Sequence, residues 1–227
     1  MNAEAAMRAT ERRRAVLGAG VAVILVVALV AIGAARPPRA SVLGTDRLGP
    51  DSGERVPDYL ARAQDSLIGA DTAPRWALVA LRAGRDTEAV LGLTGGLRIS
   101  QVLFHVPLDR VYTPVITVPV PAGAAAVRAA QPAAAGAMDH AQADDDRSRR
   151  IAAVSAARLH AGCACVVNLV VRGTLAQLRG LAAQPDVRGV QALPPDAAAG
   201  AFAVLPLLPE QTDVVGPGPD DGAVPDH

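Results

Sequence analysis

The chain has 227 residues, 51% hydrophobic and 2% aromatic, with 22 basic and 22 acidic side chains. That length allows one membrane segment plus one domain of about 100 to 150 residues. A net charge of zero and an aromatic set of one Trp, two Tyr and two Phe exclude the basic, base-stacking surface of a nucleic-acid binder. No phosphate loop, dinucleotide fingerprint, nucleophile elbow or zinc-protease helix is present, so no motif names a reaction.

Residues 15–35 read AVLGAGVAVILVVALVAIGAA without a charge, which as a helix would measure about 31 Å and span a hydrocarbon core. Arg8, Arg12, Arg13 and Arg14 precede it, and Arg36 and Arg39 follow. The positive-inside count therefore places residues 1–14 in the cytoplasm as a short tail and exports the remainder, a single-pass arrangement in the cell membrane. Gly33, Ala34 and Ala35 leave a cleavable signal as the rival, although the apolar run exceeds the core of a typical one.

Residues 36–56, rich in Pro, Gly and single charges, read as a linker. From Pro57 the spacing of Tyr59, Leu60, Ala63 and Leu67 predicts a short helix. An internal repeat follows. In residues 76–107 the apolar run WALVAL ends at Arg82 and Gly84, a helical stretch reaches Gly92 and Leu93, and LRISQ comes next. In residues 164–193 VVNLVV ends at Arg172 and Gly173, a helical stretch reaches Gly180 and Leu181, and VRGVQ comes next. Thr174 is placed to cap the second helix. Each copy reads as strand, helix, strand, and two such units predict an α+β, ferredoxin-like sandwich with both helices on one face of a four-stranded sheet. Val102, Phe104 and Val106, then Val111, Val115, Ile116 and Val118, make the first copy's outer strand long or hairpin-like. Pro107, Pro114, Pro119 and Pro121 confine that stretch to a sheet edge or an irregular crossing.

Between the copies, residues 122–160 form an Ala-rich helical insert, read as two helices interrupted by Pro132 and Gly136. Asp144, Asp145 and Asp146 suit the positive end of a helix from about Arg147 to His160. The domain as read covers residues 57–196. Beyond it, residues 201–208, AFAVLPLL, are apolar enough to lie back on the domain, whereas residues 197–227 as a whole read as a disordered acidic tail.

One reactive cluster stands out: His160, Cys163 and Cys165 lie within six residues at the entry to the second repeat. Three such ligands could hold copper or zinc. The two thiols could instead pair with each other, bridge two chains, or serve as small apolar residues opening a buried strand. His105 reads as a structural histidine of a strand. Arg82, Arg98, Arg172 and Arg188 recur at equivalent repeat positions, where Arg usually caps or pairs with an acid.

Every basic residue is Arg, and Ala is abundant. With the phrase CVVNLVVRGTLAQLRGLAAQPDVRGVQALPPD at 165–196, the chain resembles uncharacterised single-pass membrane proteins of actinobacteria with an exported ferredoxin-like domain. The resemblance is firmest over that phrase and also covers residues 76–107; it implies no activity. The residues together predict a membrane-anchored, extracytoplasmic protein-interaction module without catalysis, its partner another envelope protein or a second copy. An apolar edge near Val111 to Val120, with Val115 and Ile116 at its centre, is the expected contact. The alternative is a copper or zinc binding or redox module on His160, Cys163 and Cys165.

Overall fold

The computed structural model describes residues 46–226, so the apolar segment at 15–35 and the tail before it lie outside the described residues. Among the described residues no helix is long and apolar enough to cross a membrane. In chain order the elements are β1 (Arg47–Leu48), α1 (Val56–Asp65), β2 (Arg75–Arg85), α2 (Thr87–Thr94), β3 (Arg98–His105), β4 (Val115–Pro119), α3 (Ala124–Arg128), α4 (Ala130–Asp139), α5 (Asp146–His160), β5 (Val166–Gly173), α6 (Leu175–Ala182), β6 (Val187–Ala192) and β7 (Ala203–Val204).

Five of the strands form one antiparallel sheet in the order β4-β3-β5-β2-β6. The two repeats account for four of them: β2-α2-β3 and β5-α6-β6 interleave, so that β5 and β2 pair at the centre with Ala77 opposite Val171 and Val79 opposite Leu169. This is the split strand-helix-strand order that the repeat predicts. The fifth strand, β4, pairs with β3 as the outer arm of a hairpin, Ile116 opposite Phe104, and lies at the sheet edge.

The helices start where side chains can satisfy free N–H groups. Asp86 accepts from the Ala89 N–H at 2.7 Å ahead of α2, which ends at Gly95 with φ of 57°. Thr174 and Gln177 form a reciprocal capping box on α6. Asp145 accepts from the Ser148 N–H at 2.8 Å ahead of α5, and that bond holds its carboxyl below the usual range. The insert has three helices rather than two. Pro132 sits in the first turn of α4, where an imino nitrogen costs no helix bond, and Gly136 lies inside α4 without ending it; the breaks fall instead at Ala129 and at residues 140–145.

The larger core lies on the helical side of the sheet. Alternate strand residues Ala77, Val79, Phe104, Leu169 and Val171 pack against Leu175, Leu178 and Leu181 of α6, Val90 of α2, and Ala134, Ala135 and Leu159 of the insert. The opposite side carries Leu78, Ala80, Leu103 and Val170, and the two ends of the domain cover it. Residues 46–56 are therefore part of the domain, not linker: Leu48 is fully buried, and β1 pairs in parallel with β7. The approach at this pairing is close, since a Cβ on Gly49, whose φ is +108°, would lie 1.7 Å from the Leu205 carbonyl oxygen.

The expected disordered tail is likewise corrected. Residues 202–215 run as a strap across the sheet, with Phe202, Val204, Leu207 and Val215 turned into the packing. The acidic end is held by two arginines: Arg110 pairs with Asp221 at 2.5 Å and Arg147 with Asp220 at 2.8 Å. These contacts hold both carboxyls below their usual range. A run of acids looks solvated in sequence, and here basic partners from distant elements fix it.

Candidate functional site

Period-two alternation places Phe104 toward the helices and His105 toward the strap side, at the last residue of β3. The chain then crosses through residues 106–114 to β4. In this crossing Arg110 has φ of 51°, its carbonyl accepts from the Gly222 N–H at 2.7 Å, and the Tyr112 N–H donates to Asp220 at 3.0 Å. The crossing and the strap together wall a groove of about 1120 Å³, lined by His105, Tyr112, Glu210 and Val214 and by the prolines at 50, 107, 114, 206, 217 and 219. Tyr112 and Val214 are 59% and 54% exposed, two of the three large apolar side chains that stand open among the described residues. The third, Ile68, lines a separate groove between α1 and α6.

At the floor of the first groove lies a polar triplet. His105 Nε2 is 2.8 Å from Thr113 Oγ1, the Thr113 hydroxyl lies 2.7 Å from the Val106 carbonyl, and His105 Nδ1 is 3.4 Å from Glu210. A carbonyl only accepts, so the Thr113 hydroxyl donates to Val106 and receives the His105 Nε2–H; this assigns the neutral ring its tautomer. Burial holds the imidazole below its ordinary pKa, with the Glu210 carboxylate opposing that shift. A nucleophile of the acyl-transfer kind passes its proton to the imidazole and faces solvent or substrate. Thr113 does neither, being 2% exposed and turned to a main-chain oxygen. In that tautomer Nδ1 carries no proton, so Glu210 pairs with His105 only when the ring is protonated, and with the ring neutral the contacts through Thr113 fix the 106–114 crossing to the end of β3.

The same side of the sheet presents side chains that grip residues 47–49 and the strap. Asn168 of β5 donates from Nδ2 to the Leu207 carbonyl at 3.0 Å. Arg188 of β6 donates to the carbonyls of Leu208 at 3.0 Å and Gln211 at 2.5 Å. Gln191 accepts the Gly49 N–H at 2.6 Å and donates to the Arg47 carbonyl at 3.3 Å. Of the two expected roles for the recurring arginines, capping main-chain groups or pairing with an acid, the structure shows capping at Arg82, Arg98 and Arg188. Arg82 donates to the Pro185 carbonyl, Arg98 to that of Val120, and Arg172 lies 5.4 Å over the Trp76 ring. Burial, with Arg82 nearby, lowers the pKa of Arg188.

The residues singled out in sequence fall in two other places. Cys163 and Cys165 are bonded to each other, with Cα atoms 5.3 Å apart, in the turn between α5 and β5. His160 is paired with Asp139 at 2.8 Å, an exposed contact that closes the α4–α5 hairpin. The three are thus not assembled as a donor set: copper or zinc would need the disulfide reduced and His160 released. Among the described residues no three His, Cys, Asp or Glu side chains are grouped to hold a metal ion. Gln131, buried in the insert, donates to the carbonyls of Leu159 and Cys163 at 3.2 and 3.0 Å and holds this turn to α4.

Val115 and Ile116 do not form an open apolar edge. Ile116 is 8% exposed and belongs to the helical core, and Val115 packs against Leu103 and its neighbours on the strap side. Alternation along β4 sends the two into different packing layers, so charges at both positions would break the fold before they could report on association. The exposed apolar group of that stretch is Tyr112. No family model, curated protein or solved structure matches this chain.

Proposed function

We propose that the chain is a membrane-anchored, extracytoplasmic interaction module that docks another envelope protein and catalyses no reaction. The observation that carries this reading is the groove between residues 106–114 and the strap, where Tyr112 and Val214 stand exposed among proline walls. Aromatic and apolar groups open to water at one concave place mark a contact surface more often than a solvated one. The Cys163–Cys165 bond agrees with an oxidising compartment, which is where positive-inside counting puts the domain.

A photo-crosslinking residue at Tyr112 or Val214, in the full chain in its own membranes, tests the assignment. One discrete adduct from either position, and none from exposed Ala153 on α5, is expected. Equal labelling from Ala153, or no adduct from either groove position, would contradict the reading.

A further inference from the structure

The Cys163–Cys165 bond has no part in the docking groove, and it holds all the thiol chemistry of the chain, whose sequence contains two Cys. It closes a loop of three residues. What a disulfide adds to the stability of a fold, the fold adds equally to the stability of the disulfide, and for so short a loop chain entropy sets that factor at about tenfold. A loop of about a hundred residues would give more than a thousandfold. The folded domain therefore favours this bond little more than an unfolded chain does.

The turn has other supports. The Cys163 N–H donates to the Arg158 carbonyl at 3.1 Å, the Gly162 N–H to that of Leu159 at 3.1 Å, and the Cys165 carbonyl accepts from the His105 N–H at 2.9 Å. Gln131 donates to the Cys163 carbonyl at 3.0 Å. From β2, Gly84 approaches so closely that a Cβ there would lie 2.0 Å from the Ala164 carbonyl oxygen. These contacts remain when the bond opens. The two halves of the bond also differ in access: Cys165 is 4% exposed and belongs to the helical-side core, whereas Cys163 is half-buried between exposed Gly162 and Ala164. An incoming thiol meets Cys163 first, and exchange is governed by which sulfur is attacked and by access to it.

We infer that Cys163–Cys165 is a thiol–disulfide exchange site that accepts two electrons from a partner dithiol. A partner thiolate attacks Cys163 Sγ, the bond between the two cysteines breaks, and its electron pair leaves on Cys165 Sγ, which takes up a proton. The partner's second thiolate then attacks the partner sulfur of the mixed disulfide and releases Cys163 as a thiolate, which is protonated in turn. The partner ends as a disulfide and the domain as a dithiol, two electrons and two protons having passed between them. Each domain reacts once, as an oxidant that is consumed and not as a catalyst, and the inference does not depend on the groove at Tyr112 and Val214.

The test uses the full chain in detergent, equilibrated with mixtures of reduced and oxidised glutathione, alkylated and weighed by mass spectrometry, with a synthetic peptide of residues 160–168 as the unfolded reference. Since the chain has no other Cys, every thiol counted comes from this pair. The bond should open with the circular dichroism of the domain kept, at an equilibrium constant for reduction about tenfold below that of the peptide. Oxidised glutathione should cap Cys163 in the Cys165→Ser chain at least tenfold faster than it caps Cys165 in the Cys163→Ser chain. A synthetic Cys-Gly-Gly-Cys dithiol peptide should gain its own disulfide, one per domain, and none from the Cys163→Ser chain. Opening only with loss of the circular dichroism, an equilibrium constant a hundredfold or more below that of the peptide, equal capping of the two cysteines, or a dithiol peptide left reduced would overturn the inference.

Discussion

The two sides of the sheet are covered by different physics. On the helical side, Phe104, Leu169, Leu175 and Leu178 meet in a continuous apolar layer, and the helices above satisfy their own main-chain groups. On the other side the cover is α1, through Val56, Tyr59 and Ala63, and an irregular strap whose main chain pairs with the start of the domain only at β1–β7 and at Arg55–Val214. The strap's carbonyls find partners outside it: Asn168 meets Leu207, Arg188 meets Leu208 and Gln211, and the main-chain N–H groups of Val56 and Gly53 meet Asp213 and Val215. A face closed by burial alone is cooperative with the whole fold. A face closed by a gripped segment can open while the rest stays intact.

The largest break in that comparison comes from the helical side. Phe104→Ala should destabilise the whole domain by about 3–5 kcal/mol, lowering a single urea transition seen equally by ellipticity and by Trp76 fluorescence. Next comes Leu207→Ala, expected to cost about 2 kcal/mol in the strap alone. It should free residues 202–215 to proteolysis while the helical ellipticity is kept, and a single cooperative loss of both would erase the distinction between the two sides.

A smaller effect belongs to the disulfide. Cys163 and Cys165 close a loop of three residues, so chain entropy allows about 1.5 kcal/mol for the bond. The turn is also held by the Gln131 contacts and by the Cys163 N–H on the Arg158 carbonyl. Serine at both positions should leave a folded domain with a slightly lower urea midpoint; failure to fold would show that the bond, not the hydrogen bonds, makes the turn.

The smallest is a slope with pH. Burial holds His105 below its ordinary pKa, so the unfolded chain binds more protons at that site. Stability at this site is fully present above about pH 6.5, the unfolded value, and is lost as pH falls toward the lower folded one. Between pH 7 and 5 the urea midpoint should fall for the native chain and fall less for His105→Gln, whose side chain does not titrate. An equal fall in both would place the pH response elsewhere.

The architecture of the helical side was legible in the sequence because it is periodic. The repeats at 76–107 and 164–193 became β2-α2-β3 and β5-α6-β6, the Thr174 cap holds α6, and the hairpin arm at 115–119 took the edge that its prolines demand. The strap side was not legible. A segment such as Ala-Phe-Ala-Val-Leu-Pro-Leu-Leu shows its apolar character but not its place, since its fixing contacts reach back to Asn168 and Arg188 and leave no local pattern. One signal was available: Asn168 interrupts the run Val-Val-Asn-Leu-Val-Val, and a polar side chain on a fully buried strand must have a partner somewhere. Reading Val115 and Ile116 as one edge failed for a simpler reason, because neighbours on a strand face opposite ways. The pairing of Asp220 and Asp221 with Arg147 and Arg110 was hidden by their distance along the chain.

The most direct measurement is native-state hydrogen exchange on the full chain. The strap amides of Leu205, bonded to Leu48 at 2.8 Å, and Val215, bonded to Glu54 at 2.9 Å, are to be compared with those of the central strand β5. If the strap opens apart from the helical side, Leu205 and Val215 will exchange through an opening much smaller than global unfolding, while β5 exchanges only with the whole domain. Exchange of both groups at the same free energy would make the strap an inseparable part of the core and contradict the distinction between the two sides.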